Sequence, residues 1–437
     1  MLDMTGSPML DNGNELTVTV DALGPRGDGI ADSEAGRLYI AGALPGEIVR
    51  VRTLGKRGGG LAAKLLEVCT SAPERVGPSC RHFAACGGCT VQHLDMASYR
   101  VWKQGLVATA VARVGFKPDV VAPLVATVTD GRRRATFAAF RPRAKRAKFF
   151  FGFHARASRH VVELEQCLIL RPELMELVPQ LRAILLDLVP PGARWDVSMT
   201  LADNGIDLLI AANHDPGPDA GKALAMFADA QDIARIAWRH TQQSEVEPVA
   251  FRQVPVLEIS GVSVEIPPGV FLQASADAER VLGELVTAAA GGARVADLYC
   301  GVGTFALPLA AAGANVIAVD GDAAAIGALA RAAGMAGFGG QVETEVRDLV
   351  RRPLAAADLA GAETIVFDPP RGGAQVQVAE IAQTNAARVV AVSCNPTTFA
   401  RDARTLADAG FTLQRVTPVD QFIWSGHVEL VGVFSRL

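Results

Sequence analysis

Short runs of alternating hydrophobic and polar residues begin at Leu16. Four of them, at 16–20, 38–40, 48–51 and 65–68, are separated by turns rich in glycine. Short strands at this spacing are typical of a small β-barrel. We therefore predict an OB-like barrel over residues 15–70, after a polar leader at 1–14.

Apolar runs of another kind occur near the end of the chain, where longer segments separate them. The runs at 295–298, 315–319, 364–367 and 389–392 contain almost no polar residue. Such runs predict strands buried on both faces of a parallel sheet. A helix is expected near 276–290 and a further strand near 341–346. We predict an α/β domain at 266–437, with ligand chemistry where its strands end.

The middle of the chain mixes predicted strands and helices without a clear motif, and we assign residues 101–265 to a central α+β domain. The run at 298–319 is uncharged and long enough to span a bilayer. Its glycines and proline instead predict the end of a strand, a loop, a helix and the next strand.

Length and composition narrow the class of protein. A chain of 437 residues is too long for one hydrophobic core, and the net charge of −4 gives no overall attraction to nucleic acid. Any basic surface must therefore be local. Seven cysteines without an export signal indicate a reduced, cytoplasmic protein. We expect a monomer that does not bind membranes.

Three cysteines, Cys80, Cys86 and Cys89, lie within ten residues of one another. In a reduced protein this spacing predicts a metal-binding loop, assigned to 71–100, rather than unliganded thiols. Cys167 is the nearest downstream candidate for a fourth ligand. An isolated cysteine, Cys69, is expected to be buried.

The spacing of the cysteines leaves the metal open. Sulfur ligands in this number hold either zinc or an iron–sulfur cluster. His82 and His93 lie close enough in sequence to complete a zinc site.

The densest positive charge in the chain lies between residues 132 and 148, with phenylalanines inside and after it. Basic and aromatic residues that alternate on strands can bind phosphates and stack bases. We favour RNA or DNA contact over an ordinary solvated face. The run comprises Arg132, Arg133, Arg134, Arg141, Arg143, Lys145, Arg146 and Lys148, of which the five arginines up to Arg143 are the predicted RNA contacts.

A tight glycine loop, Gly301-Val302-Gly303, follows the strand at 295–298. Glycines there let a cofactor approach the backbone. Asp320 ends the next strand, where a carboxylate can accept hydrogen bonds from ribose hydroxyls, and Asp348 could reach an adenine edge. The loop lacks the third glycine of the dinucleotide fingerprint. S-adenosylmethionine has no pyrophosphate, so it suits the loop better than NAD.

Two further strands end in residues that could take part in catalysis. Asp368-Pro369-Pro370 is similar to the turn of amino-group methyltransferases, but Arg371 stands where those enzymes have an aromatic residue, which disfavours an exocyclic nitrogen target. Cys394 ends the strand at 389–392. A lone cysteine is more often packed as a small hydrophobe, and its neighbours therefore decide its role.

Cys394 and Glu429, placed beside bound S-adenosylmethionine, would support methylation of carbon 5 of uracil. A thiolate that adds to carbon 6 makes carbon 5 nucleophilic. After methyl transfer a carboxylate must remove the carbon 5 proton, and elimination then frees the cysteine. The target base must be unstacked to reach such a pocket.

These motifs, in this order, resemble the TRAM-containing, iron–sulfur RNA uridine C5-methyltransferases. The likeness extends from about residue 15 to the end of the chain. It is carried by the segments 27–31, 44–47, 80–94, 297–303, 368–371, 393–396 and 426–429.

The resemblance implies roles for particular residues. It makes Cys394 the nucleophile and Glu429 the base, and it assigns Cys80, Cys86, Cys89 and Cys167 to a [4Fe–4S] cluster. It implies a TRAM barrel and a class I Rossmann-like domain. The implied S-adenosylmethionine contacts are Gln273, Tyr299, Thr304, Asp320, Asp348 and Asp368.

Three functions follow from these residues. The barrel makes a 23S rRNA uracil-5-methyltransferase the first hypothesis, and a tRNA uracil-5-methyltransferase is the second. A non-catalytic RNA-binding iron–sulfur protein is the third, although the predicted nucleophile, base and glycine loop are all present.

Overall fold

The structure is a computed structural model that describes residues 13–144, 148–241 and 245–436. The chain divides into two compact units. Of the described residues, the first unit contains 13–106, Phe153–Gln166 and Phe422–His427. The second unit contains the described residues within 107–152, 167–421 and 428–436. The predicted leader at 1–14 lies outside the described residues except for its last two. The predicted barrel, metal loop and two further domains are not tested by this division.

A six-stranded sheet forms the core of the first unit, in the order β1-β5-β6-β4-β3-β2. Leu38, Ile40, Val49 and Val51 project into its interior and are fully buried. Alternate residues of β5 are buried, as the pattern at 48–51 predicts. Its strands are β1 (Glu15–Thr19), β2 (Ala22–Leu23), β3 (Asp28–Ser33), β4 (Gly36–Ala41), β5 (Ile48–Arg57) and β6 (Gly60–Thr70).

The four predicted strands of this sheet are confirmed, whereas its assignment as a TRAM barrel stays a prediction. Cys69 lies near the end of β6 and is exposed, so the expectation that it is buried is wrong. The end of β6 is exposed on both faces, which leaves no interior for the thiol.

The middle of the chain supplies a second sheet and a hairpin. Within the second unit, β8-β11-β12-β13-β14 are neighbours in this sheet, β8 also pairs with residues Phe150–Gly152 of β9, and β15 pairs with β16. The strands in this part of the chain are β7 (Val125–Ala126), which belongs to the eight-stranded sheet described next, β8 (Arg134–Phe140), β9 (Phe150–His154), β10 (Val161–Glu163), β11 (Arg194–Ala202), β12 (Gly205–Ala212), β13 (Arg235–His240), β14 (Val246–Phe251), β15 (Val256–Ile259) and β16 (Val262–Glu265).

The predicted α/β domain contains an eight-stranded sheet in the order β19-β18-β17-β20-β21-β23-β22-β7. The first five of these strands run parallel, and β23 lies antiparallel between β21 and β22. Its later strands are β17 (Arg294–Leu298), β18 (Asn315–Asp320), β19 (Val342–Val346), β20 (Thr364–Phe367), β21 (Arg388–Ser393), β22 (Thr412–Asp420) and β23 (Glu429–Ser435).

Eight α-helices are assigned in the described part of the chain, and a short 3₁₀ helix lies at Pro118–Val120. The helix predicted near 276–290 is α4, which begins after Ser275, whose hydroxyl caps it. The eight α-helices are α1 (Met96–Ala112), α2 (Pro172–Leu188), α3 (Gly217–Ala230), α4 (Ala276–Ala290), α5 (Ala306–Ala311), α6 (Ala323–Met335), α7 (Gln375–Ile381) and α8 (Pro396–Asp408).

The uncharged run at 298–319 forms the end of β17, the glycine loop, α5 and most of β18, as predicted. None of the helices within the described ranges combines the length and the hydrophobicity that crossing a membrane requires.

Candidate active site

The ends of β21 and β23 bring the predicted nucleophile and base to one edge of the eight-stranded sheet. Ser393 pairs with Leu430 across the two antiparallel strands. Cys394 follows Ser393, and Glu429 precedes Leu430, so the register predicts that they lie next to each other. Their charges interact, because Glu429 contributes to raising the pKa of the Cys394 thiol. The same edge receives the ends of β17, β18 and β20.

Cys394 is half-buried at the turn from β21 into α8. The turn is held by Asn395, whose side-chain oxygen accepts from the Thr397 N–H at 3.1 Å and whose Nδ2 donates to the Arg371 carbonyl at 3.0 Å. Burial raises the pKa of the Cys394 thiol to about 11, with further contributions from Glu429 and Asp368, while Arg371 lowers it. The thiol is therefore protonated at neutral pH.

Glu429 is buried at the start of β23, where Gln421 donates a hydrogen bond from Nε2 to its Oε1 at 3.3 Å. The same Nε2 donates to Gln273 Oε1 at 2.9 Å. Gln273 in turn donates from Nε2 to Asp368 Oδ2 at 3.2 Å. A chain of hydrogen bonds thus joins the predicted base to two of the predicted cofactor contacts.

The glycine loop after β17 has positive φ at three positions, Tyr299, Gly301 and Gly303. Gly303 has φ of +99°, and a Cβ there would come within 2.5 Å of Leu329, so only glycine fits. Tyr299 also adopts positive φ, at +63°, which is unusual for a side chain of its size. The loop is tied to β18 by Asp320, whose Oδ2 accepts from the Gly301 N–H at 2.9 Å. Apart from its two neighbours in sequence, no described residue has an atom within 4 Å of a Cβ placed at Gly301, which leaves open space beside the backbone.

Carboxylates concentrate at this edge of the sheet. Asp297 is fully buried, and within the described ranges neither of its carboxylate oxygens has a hydrogen-bond partner. Burial and the nearby Asp368 and Asp320 hold the pKa of Asp297 well above its ordinary value. Burial also raises the pKa of Asp368 to about 7, which the hydrogen bond from Gln273 opposes.

The remaining predicted cofactor contacts follow the ends of β17 and β19. Thr304 is half-buried in the glycine loop, and Asp348 is exposed directly after β19. The pKa of the Tyr299 phenol is raised to about 12 by burial and by Asp402, Asp348 and Asp320. The structure therefore gathers Tyr299, Asp320 and Asp348 around one loop.

Arg133 does not present its guanidinium to solvent. It is 5% exposed, donates from Nη2 to Glu279 Oε2 at 2.7 Å, and donates from Nε to the Gln273 carbonyl at 3.2 Å. This geometry does not fit an RNA contact. A run of basic residues in the sequence does not distinguish an arginine paired with a buried acid from one that faces solvent. The acid here, Glu279, lies far along the chain.

The other predicted RNA contacts differ in exposure. Arg143 is exposed, and Arg132 and Arg141 are half-buried, with Arg141 Nη1 donating to the Leu186 carbonyl at 3.0 Å. Arg134 lies 4.5 Å from the centre of the Phe271 ring, and burial lowers its pKa to about 10. Lys145 and Arg146 lie outside the described residues.

The cysteine loop belongs to the first unit, where Cys80, Cys86 and Cys89 are half-buried. The Gly88 N–H donates to Cys86 Sγ at 3.4 Å, and Cys80 is close enough to contribute to raising the pKa of Cys86. Cys167 belongs to the second unit and is also half-buried.

Thiols are suitable ligands for a soft metal, which is the chemistry that the cysteine spacing predicts. No three His, Cys, Asp or Glu side chains in the described ranges are placed so that they could hold an ion. The structure therefore does not support the predicted cluster. His93 is 1% exposed, with both ring nitrogens unpaired in the described structure, and burial lowers its pKa to about 4.

Gln421 was missed as a site residue by sequence reasoning. It follows β22, a strand that the hydrophobic pattern did not identify, and it is buried beside Glu429. Its only sequence signal is its place in the segment 420–429 that leads to the predicted base. Asp297 was noted only as part of a motif, and its burial has no signal apart from the apolar strand that it ends.

The parallel sheet, the glycine loop and the acid after β18 together have the architecture of an α/β methyltransferase. The sequence profile described as tRNA (Uracil-5-)-methyltransferase matches residues 340–436. The chain is 32% identical over 432 residues to the 23S rRNA (uracil(1939)-C(5))-methyltransferase RlmD of Pectobacterium atrosepticum, covering 96% of this chain and 93% of that protein. It therefore belongs to the RNA uracil-5-methyltransferase family, whose methyl donor is S-adenosylmethionine.

A second relative and a solved structure are also similar to this chain. An uncharacterized RNA methyltransferase of Brucella suis is 40% identical over 420 residues, which cover 96% of this chain and 97% of that protein. The crystal structure of Pyrococcus abyssi tRNA (uracil-54, C5)-methyltransferase in complex with S-adenosyl-L-homocysteine has a TM-score of 0.74 at 22% identity, covering 96% of this chain and all of that one. The latter supports the predicted fold.

Proposed function

We propose that this enzyme methylates carbon 5 of a uridine in 23S rRNA through a covalent adduct with Cys394. The single observation that carries the mechanism is the pairing of Ser393 with Leu430, which brings the nucleophile and Glu429 to adjacent strand ends. The likeness to RlmD over nearly the whole chain supports the ribosomal substrate.

The proposed reaction begins when the Cys394 thiol gives its proton to solvent water and the resulting thiolate sulfur adds to carbon 6 of the uracil. This addition moves the electrons of the double bond to carbon 5 and the carbonyl at carbon 4. S-adenosylmethionine, when bound, would supply the methyl group to carbon 5 and would leave as S-adenosylhomocysteine. Glu429 then takes the carbon 5 proton, the double bond reforms, and the bond from carbon 6 to sulfur breaks.

The proposed cofactor contacts are those at the ends of β17 to β20. Asp320 already holds the glycine loop through the Gly301 N–H and retains a second oxygen, which accepts from the Asp322 N–H. Its carboxylate is suited to accept from ribose hydroxyls. The set comprises Gln273, Tyr299, Thr304, Asp320, Asp348 and Asp368.

The proposed RNA surface includes Arg132, Arg134, Arg141 and Arg143, and it omits Arg133 because that side chain is buried in an ion pair. The [4Fe–4S] cluster stays a prediction that depends on the cysteine spacing and the family resemblance, and no step of the reaction is assigned to it.

Glu429→Gln tests the mechanism. The amide keeps the shape of the carboxylate but cannot take a proton, so the reaction should stop after methyl transfer and leave RNA attached to Cys394. Denaturing gel electrophoresis should show this adduct, and Cys394→Ala/Glu429→Gln should not form it. Absence of an adduct in Glu429→Gln together with normal turnover would contradict the proposal.

A deletion strain tests the substrate. Mass spectrometry of its rRNA and tRNA should show loss of one methyluridine from 23S rRNA, and the wild-type gene should restore it. Loss from tRNA instead would favour the tRNA alternative.

A further inference from the structure

Gln421 makes four hydrogen bonds, although its side chain is only 6% exposed. Its Oε1 accepts from the backbone N–H groups of Ala274 at 2.7 Å and Ser275 at 3.3 Å. Its Nε2 donates to Gln273 at 2.9 Å and to Glu429 at 3.3 Å. Two acceptor sites and two donor hydrogens are thereby all used.

These partners allow only one orientation of the Gln421 amide. If the amide were rotated by half a turn, its NH₂ group would face two N–H donors and its oxygen would face two acceptor oxygens. All four contacts would then become repulsive in a buried site. The Gln421 NH₂ group is therefore directed toward Glu429.

The orientation of Gln421 also determines that of Gln273. Because Gln273 Oε1 accepts from Gln421, its Nε2 must face away, and it donates to Asp368 Oδ2 at 3.2 Å. The Gln273 side chain is 3% exposed, so it has little room for another rotamer. The Gln421 amide thus determines the orientation of the Gln273 amide, and Gln273 donates a hydrogen bond to Asp368, which directly follows β20.

The backbone at 273–275 is held from two sides. Arg133 donates its backbone N–H to the Ala274 carbonyl at 2.8 Å and its Nε to the Gln273 carbonyl at 3.2 Å. Gln421 accepts from the N–H groups of Ala274 and Ser275 on the other side. The segment is therefore a firm support for Gln421 rather than a loop that moves with it.

We propose that Gln421 is a positioning residue, which holds the Glu429 carboxylate against the carbon 5 proton and orients the Gln273 amide toward Asp368. This inference rests on the proposed roles of Glu429 and Gln273. It predicts that disturbing Gln421 slows proton removal more than it slows addition of the thiol or methyl transfer.

Gln421→Glu is the sharpest test, because it keeps an oxygen for Ala274 and Ser275 but replaces the donor that faces Gln273 and Glu429 by an acceptor. Gln421→Met keeps the length of the side chain and removes all four hydrogen bonds. Gln414→Glu is the matched control, since Gln414 lies on β22, is exposed, and donates only to Ser435 among the described contacts.

The measurements separate the steps. Release of tritium from carbon 5 of labelled uridine reports proton removal, and denaturing gels report the RNA adduct before that step. We expect Gln421→Glu to slow tritium release about 100-fold, with accumulation of adduct as in Glu429→Gln. Gln421→Met should raise KM for S-adenosylmethionine several-fold, whereas Gln414→Glu should match wild type.

The outcomes distinguish this inference from the proposed mechanism. If Glu429→Gln traps the adduct but both Gln421 variants release tritium at the wild-type rate, Gln421 does not position the base. If the Gln421 variants lower adduct formation and tritium release equally, its role is general support of the fold and the inference is overturned. If Glu429→Gln forms no adduct and turns over normally, the proposed mechanism itself is wrong.

Discussion

Short motifs predict both a catalytic site at the edge of the eight-stranded sheet and a metal site in the cysteine loop. The structure brings the residues of the first together, but it does not group those of the second. At the sheet edge, the ends of β20, β21 and β23 bring Asp368, Cys394 and Glu429 close enough that their charges interact. In the loop, three thiols within ten residues do not form a group that could hold a metal in the described structure.

The difference lies in what positions the residues. Buried strands with a fixed register determine where their ends meet, so a residue that ends such a strand has a predictable neighbour. A loop has no such register. The bonds of the cysteine loop to its surroundings, such as Gly87 N–H to the His154 carbonyl at 2.9 Å, depend on residues far away in sequence. Short spacing in the sequence therefore indicates which chemistry a set of residues suits, but it does not determine where their side chains lie.

Cys394→Ala gives the largest expected effect. Without the nucleophile, methyl transfer to RNA should fall to background, because carbon 5 of uracil is not activated. Binding of S-adenosylmethionine, measured by calorimetry, should change little. Cys69→Ala is the matched control, since Cys69 is exposed and lies in the first unit. Wild-type turnover by Cys394→Ala would contradict the proposal that the sheet edge holds the catalytic nucleophile.

Arg133→Met tests whether the first half of the basic run supports the sheet edge rather than RNA. It leaves Glu279 buried without its partner, and removal of one member of a buried pair costs about 3–5 kcal/mol. Urea denaturation measures the free energy of unfolding. Arg133→Met/Glu279→Leu should recover much of the loss. Equal stability of Arg133→Met and wild type would contradict the structural role.

The rate of thiol alkylation tests the electrostatics of the sheet edge. With a pKa raised to about 11, the Cys394 thiolate is a minor species at neutral pH and increases about tenfold per pH unit as pH rises. Alkylation of Cys394 by iodoacetamide, followed by mass spectrometry, should therefore accelerate from about pH 7 to pH 10. Glu429→Gln removes one of the charges that raise the pKa and should be alkylated faster at a given pH. A rate independent of pH would exclude the raised pKa.

Cys86→Ser tests whether the cysteine loop binds a metal. If the predicted cluster exists, anaerobically purified wild type should contain iron and sulfide, and Cys86→Ser should lose them together with the visible absorbance. Affinity for S-adenosylmethionine should stay within about twofold, because Cys86 is not one of the proposed cofactor contacts. Zinc in place of iron would favour the alternative that the spacing left open, and absence of both would reject the metal site.

Arg143→Ala gives the smallest expected effect. Arg143 is exposed, so its loss should weaken RNA binding without changing the free energy of unfolding. If it contacts a phosphate, the slope of log affinity against log salt should fall by about 0.7–0.9. Filter binding at several salt concentrations measures this slope. An unchanged slope would remove Arg143 from the proposed RNA surface.

Much of the α/β domain was predictable because its signals are local. The apolar runs at 295–298, 315–319, 364–367 and 389–392 all lie within strands of the eight-stranded sheet. Asp320 holds the glycine loop because it ends one of these strands. In such a sheet, knowing where a strand stops is nearly enough to know where its last side chain lies.

The rest depends on partners distant in sequence. β22 mixes Gln414, Arg415 and Thr417 with apolar residues, so its pattern does not indicate a strand, yet its end carries Gln421 to Glu429. The pairing of Arg133 with Glu279 joins residues that no spacing rule connects. Burial of a polar side chain is decided by such long-range contacts.

β23 enters the sheet between two strands made earlier, β21 and β22. During translation the strand that carries the nucleophile therefore leaves the ribosome before its neighbour exists, and its free edge stays open for that interval. Glu429, the proposed base, arrives with the last strand of the sheet. A chain interrupted before Glu429 would contain Cys394 but would lack the carboxylate that we propose completes the reaction.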